Sequence, residues 1–367
     1  MNKILIVDTT WPINSRTEKF RISLCKNYNV FVSAWCRTDK IYINKHNHFV
    51  LSDDIGYGNK YKKLFSLPKF FQHTLSVYRN VKPDLIFASH WDSLVIATLI
   101  KLITKDNVRI VYDCLDMPTS NNSVIFKLLK SIEKLCIKQT ELTIFASRYF
   151  PRLYPSSLNS IIFENYPSES LLKSDGKPVW YSQEFETKSE KLPVVSWIGV
   201  VRYPDVLYNL IDAIGELQAV FYIFGDGPSF VSIKQYVKTK SLQDKVLFFG
   251  RFEQKDLKYI YRISNYIWAA YPTVDSNAIY AISNKYFESS LFDRIPIFSE
   301  NTKMVKELQN NSFSFISINE SSVEDIRGTL QDAFNKKQHR LPFVKYETIC
   351  FWENHEKRLL EEIHSTI

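Results

Sequence analysis

Short apolar runs separated by helix-length amphipathic stretches set the rhythm of the first 167 residues. "KILIVD" (3–8), "NVFVSAW" (29–35), "PDLIFAS" (83–89), "VRIVYD" (108–113), "LTIFAS" (142–147) and "SIIFEN" (160–165) are each too short for a stable helix and lack polar alternation. Such runs predict strands covered on both faces, as in a parallel sheet with helical crossovers. Residues 168–192, "SESLLKSDGKPVWYSQEFETKSEKL", interrupt this with polar and charged positions and predict a linker. A second series follows in "PVVSWIG" (193–199), "AVFYIFG" (219–225), "KVLFFG" (245–250), "NYIWAAYP" (265–272) and "IPIFSE" (295–300). The pattern predicts two Rossmann-like α/β domains, 1–167 and 193–345. Within 346–367, Ile349, Trp352, Leu359 and Leu360 mark an apolar stripe on a terminal helix expected to pack back towards the amino-terminal domain. There is no internal repeat or low-complexity tract.

The length of 367 residues suits two cores, and a hydrophobic fraction of 45% with 23% charged residues is that of an ordinary globular chain. No apolar run reaches the roughly 18 residues that a membrane span needs, and the start is too short in apolar residues for a secretory signal. A cytoplasmic location is therefore expected. The five cysteines (Cys25, Cys36, Cys114, Cys136, Cys350) are scattered and lack any C-x-x-C pair, which predicts neither a disulfide framework nor a zinc site. Charge changes the picture more. The formal net charge is +8, and residues 1–170 carry +9 of it against −1 for residues 171–367. That asymmetry points the first half at something anionic.

Candidate chemistry concentrates in the second half, where strands end at Gly199, Gly225 and Gly250. Ligands of open α/β sheets gather outside the carboxyl ends of the strands, and glycine there lets backbone amides approach a phosphate; tight strand-to-helix turns are the plainer use. "GDGPSF" lacks a third fingerprint glycine, no G-x-x-x-x-G-K-[ST] loop occurs and no D-x-D triplet is present, which disfavours nicotinamide, P-loop and metal-held donor chemistry. In "AISNKYFESSLFDRIPIFSE" (281–300), Ser283 can cap a helix beginning at Asn284, whose first-turn amides and Lys285 suit a diphosphate. Glu288, one turn on, suits a ribose diol. A surface i,i+3 ion pair worth a few tenths of a kcal/mol is the competing reading.

"SWIGVVR", "FYIFGDGP", "VLFFGRFEQKDLKYIYRISNYIWAAYP" and "SNKYFESSLFDRIPIF", in this order, resemble the carboxyl-terminal domain of GT-B glycosyltransferases of the GT4-like group. The first half is similar in outline, through "KILIVD", an arginine-bearing helix, "KPDLIFAS", "VYDCLD" and "ENYP", and "CFWENHEKRLLEEI" resembles the group's terminal helix. The resemblance implies two Rossmann-like domains facing each other across a cleft, and a glycosyl transfer that needs no metal and no cofactor beyond a UDP- or GDP-sugar donor. It implies that Arg202 and Lys285 bind the diphosphate, Arg251 and Phe252 frame the base and Glu288 holds the ribose. Arg202 as a solvated side chain and Phe252 as a core ring are the rivals. Tyr280 stands where the group often has a second glutamate, Ser283 replaces the usual proline and Asp293 the usual glycine. A retaining course is favoured over an inverting one.

On the acceptor side, "ASHWDS" and "VYDCLD" end strands of the first domain. An inverting reaction would take its base from Asp116, Asp113, Asp92 or His90, with Asp116 favoured; in a retaining one His90 would hold a sugar hydroxyl. Asp116 also suits a turn or cap ahead of "MPTSNN". In 57–71, "YGNKYKKLFSLPKFF", Lys60, Lys62, Lys63 and Lys69 alternate with Tyr61, Phe65, Phe70 and Phe71. The segment is expected to meet an anionic membrane surface rather than nucleic acid, with a solvated helix bearing one buried face as the alternative. The reading reached is a hexosyltransferase, peripheral on the inner face of the membrane, that acts on a lipid-linked saccharide for a capsule, lipopolysaccharide or exopolysaccharide. A sugar-nucleotide epimerase of the same fold, or a non-catalytic protein that binds a membrane or partner, are the alternatives.

Overall fold

A computed structural model describes residues 2–38, 46–56, 60–120, 122–173, 176–274, 276–308, 314–336 and 351–367, with the side chains of Lys60, Tyr61 and Ser276 excepted. The chain forms two compact units, residues 1–165 with 355–367 and residues 166–354.

The first unit is built on β1 (Lys3–Asp8), β2 (Asn29–Cys36), β3 (His48–Ser52), β4 (Leu85–Ser89), β5 (Arg109–Cys114), β6 (Leu142–Phe145) and β7 (Ser160–Ile162). They pair in the order β3-β2-β1-β4-β5-β6-β7, every neighbour parallel. Helices α1 (Ser15–Leu24), α2 (Lys60–Val81), α3 (His90–Thr104) and α4 (Ser123–Ile137) make the crossovers. Each apolar strand residue of "ILIV" in β1 and "LIFA" in β4 is inaccessible, as covering both faces requires. Asn14 caps α1 by accepting from the amides of Arg16 and Thr17, and Asn122 caps α4 by accepting from Val124 and Ile125.

In the second unit α5 (Gln183–Lys191) precedes β8 (Val194–Ile198), α6 (Pro204–Glu216), β9 (Val220–Phe224), α7 (Phe230–Thr239), β10 (Val246–Gly250), α8 (Leu257–Arg262) and β11 (Tyr266–Ala269). Then come α9 (Ser276–Tyr280), α10 (Asn284–Leu291), β12 (Ile295–Ser299), α11 (Lys303–Leu308), β13 (Ile316–Ile318) and α12 (Val323–Asn335). The sheet order is β10-β9-β8-β11-β12-β13, again parallel throughout. The polar stretch 168–192 carries apolar residues onto this unit: Leu171, Trp180, Tyr181 and Phe185 pack against the cluster around Tyr222, Phe224 and Ile260. Trp180 stands 5.2 Å from the ring of Phe224 and 5.4 Å from that of Phe249. A partly buried ring contributes a fraction of the about 1.5–3 kcal/mol of a fully buried one, and together these rings hold the stretch by packing despite their polar neighbours.

The last helix, α13 (Trp352–His364), buries Trp352, Leu359 and Ile363; Ile349 and Cys350 lie outside the described residues. The amide of Trp352 donates to Pro167 O at 2.8 Å, whereas His364 meets Tyr28 and Glu356 pairs with Lys26 in the first unit. Two strands escaped the apolar-run reading. In β3 only Val50 is buried, and β13 has three residues, so neither shows a continuous apolar run. Cys36, Cys114 and Cys136 are buried thiols, while Cys25, at the end of α1, is exposed. No helix among the described residues is long and apolar enough to cross a membrane.

Candidate functional site

In the second unit the loops that leave β8, β9 and β10 are laced together at the carboxyl ends of the strands. Gly199 N donates to Phe224 O at 2.9 Å, Gly225 N to Gly250 O at 2.6 Å, Val201 N to Asp226 O at 3.1 Å and Ser229 N to Val201 O at 3.1 Å. Gly225 has φ 136°, and a Cβ there would stand 1.8 Å from Gly199 O; at Gly227 it would stand 2.5 Å from Val201 O. Gly199, with φ 138°, meets nothing within 4 Å of its ideal Cβ position. Gly225→Ala should therefore destabilise by about 3 kcal/mol or more, through a backbone clash on top of conformational strain. Gly199→Ala should cost about 1–3 kcal/mol, from strain alone. Urea midpoints of the two variants check the order.

Around these loops, Arg202 is exposed with its guanidinium 4.7 Å from the ring centre of Tyr203. The Arg251 side chain is 82% exposed and meets Asp226 at 3.0 Å, a pair of small energetic weight in water. Phe252 is partly buried and packs against the apolar cluster of α8 and β9.

Helix α10 carries the densest chemistry. Ser283 caps it and accepts from Lys285 N at 3.3 Å, with Asn284 as first helical residue. Lys285 Nζ donates to Glu288 Oε2 at 2.6 Å, and Tyr261 Oη, from α8, donates to the same oxygen at 2.6 Å. The two charged side chains are only 11% and 12% exposed. The ion pair of the competing reading thus forms, but it is not the surface pair that reading supposed. Burial raises the Tyr261 phenol well above its ordinary value, with the charge of Glu288 adding to the effect, so it stays a donor. Burial also raises Tyr271, opposed by the charge of Arg202 and a hydrogen bond with Ser283. Tyr271 thereby links the loop after β8 to the start of α10; its ring lies 5.7 Å from Trp197 and 5.9 Å from Tyr203. Neither Tyr261 nor Tyr271 is distinguished in the sequence, where 21 tyrosines share no pattern. Tyr280 ends α9, with Lys303 Nζ 5.7 Å from its ring centre.

In the first unit His90 opens α3 at φ 70°, a left-handed conformation costing about 1–3 kcal/mol in a non-glycine residue. Asn14 Nδ2 lies 3.0 Å from His90 Nε2 and 3.4 Å from Asp8 Oδ2. Asp92 Oδ2 accepts from Thr9 Oγ1 at 3.0 Å and pairs with Lys63. Burial favours the neutral form of Asp92, but the charges of Lys63 and His90 outweigh it and hold the carboxyl below its ordinary range. Asp113, a candidate base, is instead locked against Arg16 by three contacts of 2.9–3.1 Å, both side chains 1% exposed. Asp116 is exposed in the bend after β5.

The segment 57–71 presents some of its rings and buries others. Phe70 is wholly buried and stacks on Trp35 at 5.2 Å, because α2 turns that face to the sheet. Lys63 and Lys69 are engaged by Asp92 and Asp53, while Leu64 and Phe65 remain exposed. Residues 57–59 and the side chains of Lys60 and Tyr61 lie outside the described residues.

Two parallel Rossmann-like sheets of seven and six strands in one chain, the second with glycine-ended strands beside a capped helix, define the GT-B fold of glycosyltransferases. Over 100% of its length the chain is similar to sucrose-phosphate synthase of Thermosynechococcus elongatus (TM-score 0.75, 12% identity, 99% of that chain). It is similar over its full length to Anabaena HepE in complex with UDP and glucose (TM-score 0.71, 14% identity, 100% of that chain). The same holds for the apo form of the lipopolysaccharide outer core galactosyltransferase WaaB (TM-score 0.63, 13% identity, 100% of that chain). What is shared at these identities is the fold. No protein-family model and no curated protein sequence matches the chain.

Proposed function

We propose that the protein transfers a sugar from a nucleoside-diphosphate donor, bound by the second unit, to a hydroxyl of a saccharide acceptor bound by the first. The observation that carries this is the buried Lys285–Glu288–Tyr261 group at the start of α10, in the same unit as the strands that end at glycine. In this reading the amides of α10 and the cations of Lys285 and Arg202 take up charge on the departing diphosphate. Glu288, held by Tyr261, receives the ribose hydroxyls. Arg251 and Phe252 flank the base, Gly199, whose Cβ position is open, lets the backbone approach the donor, and Gly225 keeps the neighbouring loop packed beneath it. No step calls on a metal, since lysine and arginine supply the countercharge. UDP-sugars are the first donors to try, because HepE, of the same fold, is known in complex with UDP-glucose.

The acceptor is proposed to be a lipid-linked saccharide of a surface polysaccharide, handled at the inner face of the membrane. The excess of +9 in residues 1–170 favours an anionic surface or acceptor there. We take the course as retaining, with His90 holding a sugar hydroxyl and Asp116 as the base only if the anomeric centre inverts. One observation favours a second, non-catalytic reading: Lys285 and Glu288 satisfy each other, and Tyr280 supplies no carboxylate. Release of UDP or GDP from a panel of nucleotide-sugars, with and without lipid-linked saccharides, separates the two. Donor-dependent release that rises with acceptor supports transfer, binding without release on any acceptor supports the second reading, and free interconversion of the donor sugar would mark an epimerase.

A further inference from the structure

Helices α3 and α4 pack side by side on the first unit and turn a row of large apolar side chains outward. On α4, Val124 is 73% exposed, Leu135 64% and Leu128 58%, with Ile125 beside them; on α3, Leu99, Leu102 and Ile103 are exposed in its last two turns. An α-helix of 100° per residue places 124, 128 and 135 on one strip, and Lys127, Lys134 and Lys138, all exposed, on the strip alongside. Lys105, at the end of α3, is exposed too. The acids of these two helices, Asp92 and Glu133, are both turned inward: Asp92 meets Lys63, and Glu133 accepts from Tyr112, Tyr154 and Lys130. The outward faces of α3 and α4 themselves therefore carry apolar and positive groups with no acidic side chain; the flanking acids Asp106 and Glu141 accept from Tyr78 and Lys101.

From this we infer that the α3–α4 face docks on an anionic lipid bilayer, its leucines, isoleucines and valine entering the headgroup boundary while the lysines meet lipid phosphates. An apolar strip bordered by cations is what an interfacial helix needs. The face offers a broader apolar strip than the start of α2, where Leu64 and Phe65 are exposed but Phe70 is in the core and Lys63 and Lys69 have carboxylate partners. This inference does not depend on the donor chemistry.

Co-sedimentation of the full chain with phosphatidylcholine vesicles, with and without phosphatidylglycerol, tests it. The protein should partition onto the anionic vesicles only, and salt should weaken the binding. Lys127→Glu/Lys134→Glu/Lys138→Glu should weaken partition on the order of a hundredfold, taking each surface lysine at its usual weight near an anionic leaflet. Leu128→Ser/Leu135→Ser should weaken it about tenfold or more through lost apolar insertion. Lys234→Glu/Lys238→Glu, on exposed positions of α7, should leave it unchanged apart from a small general charge effect. Thermal melts of all variants should match, as every changed side chain is exposed. Absence of partition by the unmodified chain, or an equal loss in the α7 variant, would overturn the inference. So would vesicle binding that survives Leu128→Ser/Leu135→Ser while concentration-dependent self-association disappears, which would make the face a contact between copies. No nucleotide or sugar enters this assay, so its failure leaves the proposed transfer standing.

Discussion

Lys285→Met should lower turnover of a nucleotide-sugar by about a hundredfold to a thousandfold, the loss usual for one preorganised group facing developing negative charge. The substitution keeps the length of the aliphatic stem and deletes the charge, so the packing around α10 changes little. Glu288 then keeps only Tyr261 on Oε2, and its buried carboxylate loses its cation. Some stability falls with activity, and thermal melts must accompany the kinetics. Glu288→Gln separates the roles. It retains an acceptor oxygen for Tyr261 yet leaves the buried Lys285 without its carboxylate, so nucleotide affinity should fall about tenfold or more from lost ribose contacts, with a drop in melting temperature like that of Lys285→Met. Tyr261→Phe should act in the same direction and more weakly. Calorimetric titration with UDP and GDP, together with product release, reads these effects. If Lys285→Met and Glu288→Gln both bind and turn over donor like the unmodified chain, the pair is structural and the donor site lies elsewhere.

The other large effect concerns stability. Arg16→Met should destabilise the first unit by about 3–5 kcal/mol, the range for removing one member of a buried, hydrogen-bonded ion pair. Against the 5–15 kcal/mol that holds a typical domain, this is enough to unfold a marginal one. Arg16 meets Asp113 through Nε and Nη2, donates from Nη2 to Phe163 O at 2.6 Å, and lies 5.0 Å from the ring centre of Phe20. Methionine leaves Asp113 charged, wholly buried and without its guanidinium. Pairing the change with Asp113→Leu should recover part of the loss, because two apolar side chains cost less there than one orphaned carboxylate. Chemical denaturation of the three variants gives the coupling. An Arg16→Met midpoint equal to that of the unmodified chain would mean that the pair has no net weight in stability.

The strands of both sheets are legible because parallel sheets covered on two faces demand unbroken apolar runs. β3 and β13 are the exceptions for the same reason: the burial of one is confined to Val50, and the other spans three residues. The start of α10 is legible because cap, lysine and glutamate lie within six positions and their spacing fixes their face. What the spacing leaves open is direction. Lys285 and Glu288 read as two groups turned towards different parts of a ligand, whereas the structure turns them towards each other, and Tyr261, from a separate helix, completes the contact. Asp113 misleads in the same way. A carboxylate at a strand end resembles a base until Arg16, 97 positions earlier, is seen to close on it. Phe70 shows the limit of composition, since an aromatic among lysines can face the core as readily as a membrane.

The first unit is discontinuous: it is completed by residues 355–367, among which Leu359 and Ile363 are buried and His364 reaches Tyr28. On the ribosome, chains ordinarily mature from the amino terminus onward. Here the amino-terminal unit stays incomplete, without the burial that Leu359 and Ile363 bring, until the whole of the second sheet has been synthesised. The later-made unit is then the earlier to finish, and a nascent chain arrested before residue 355 would offer chaperones an unfinished surface on its oldest part.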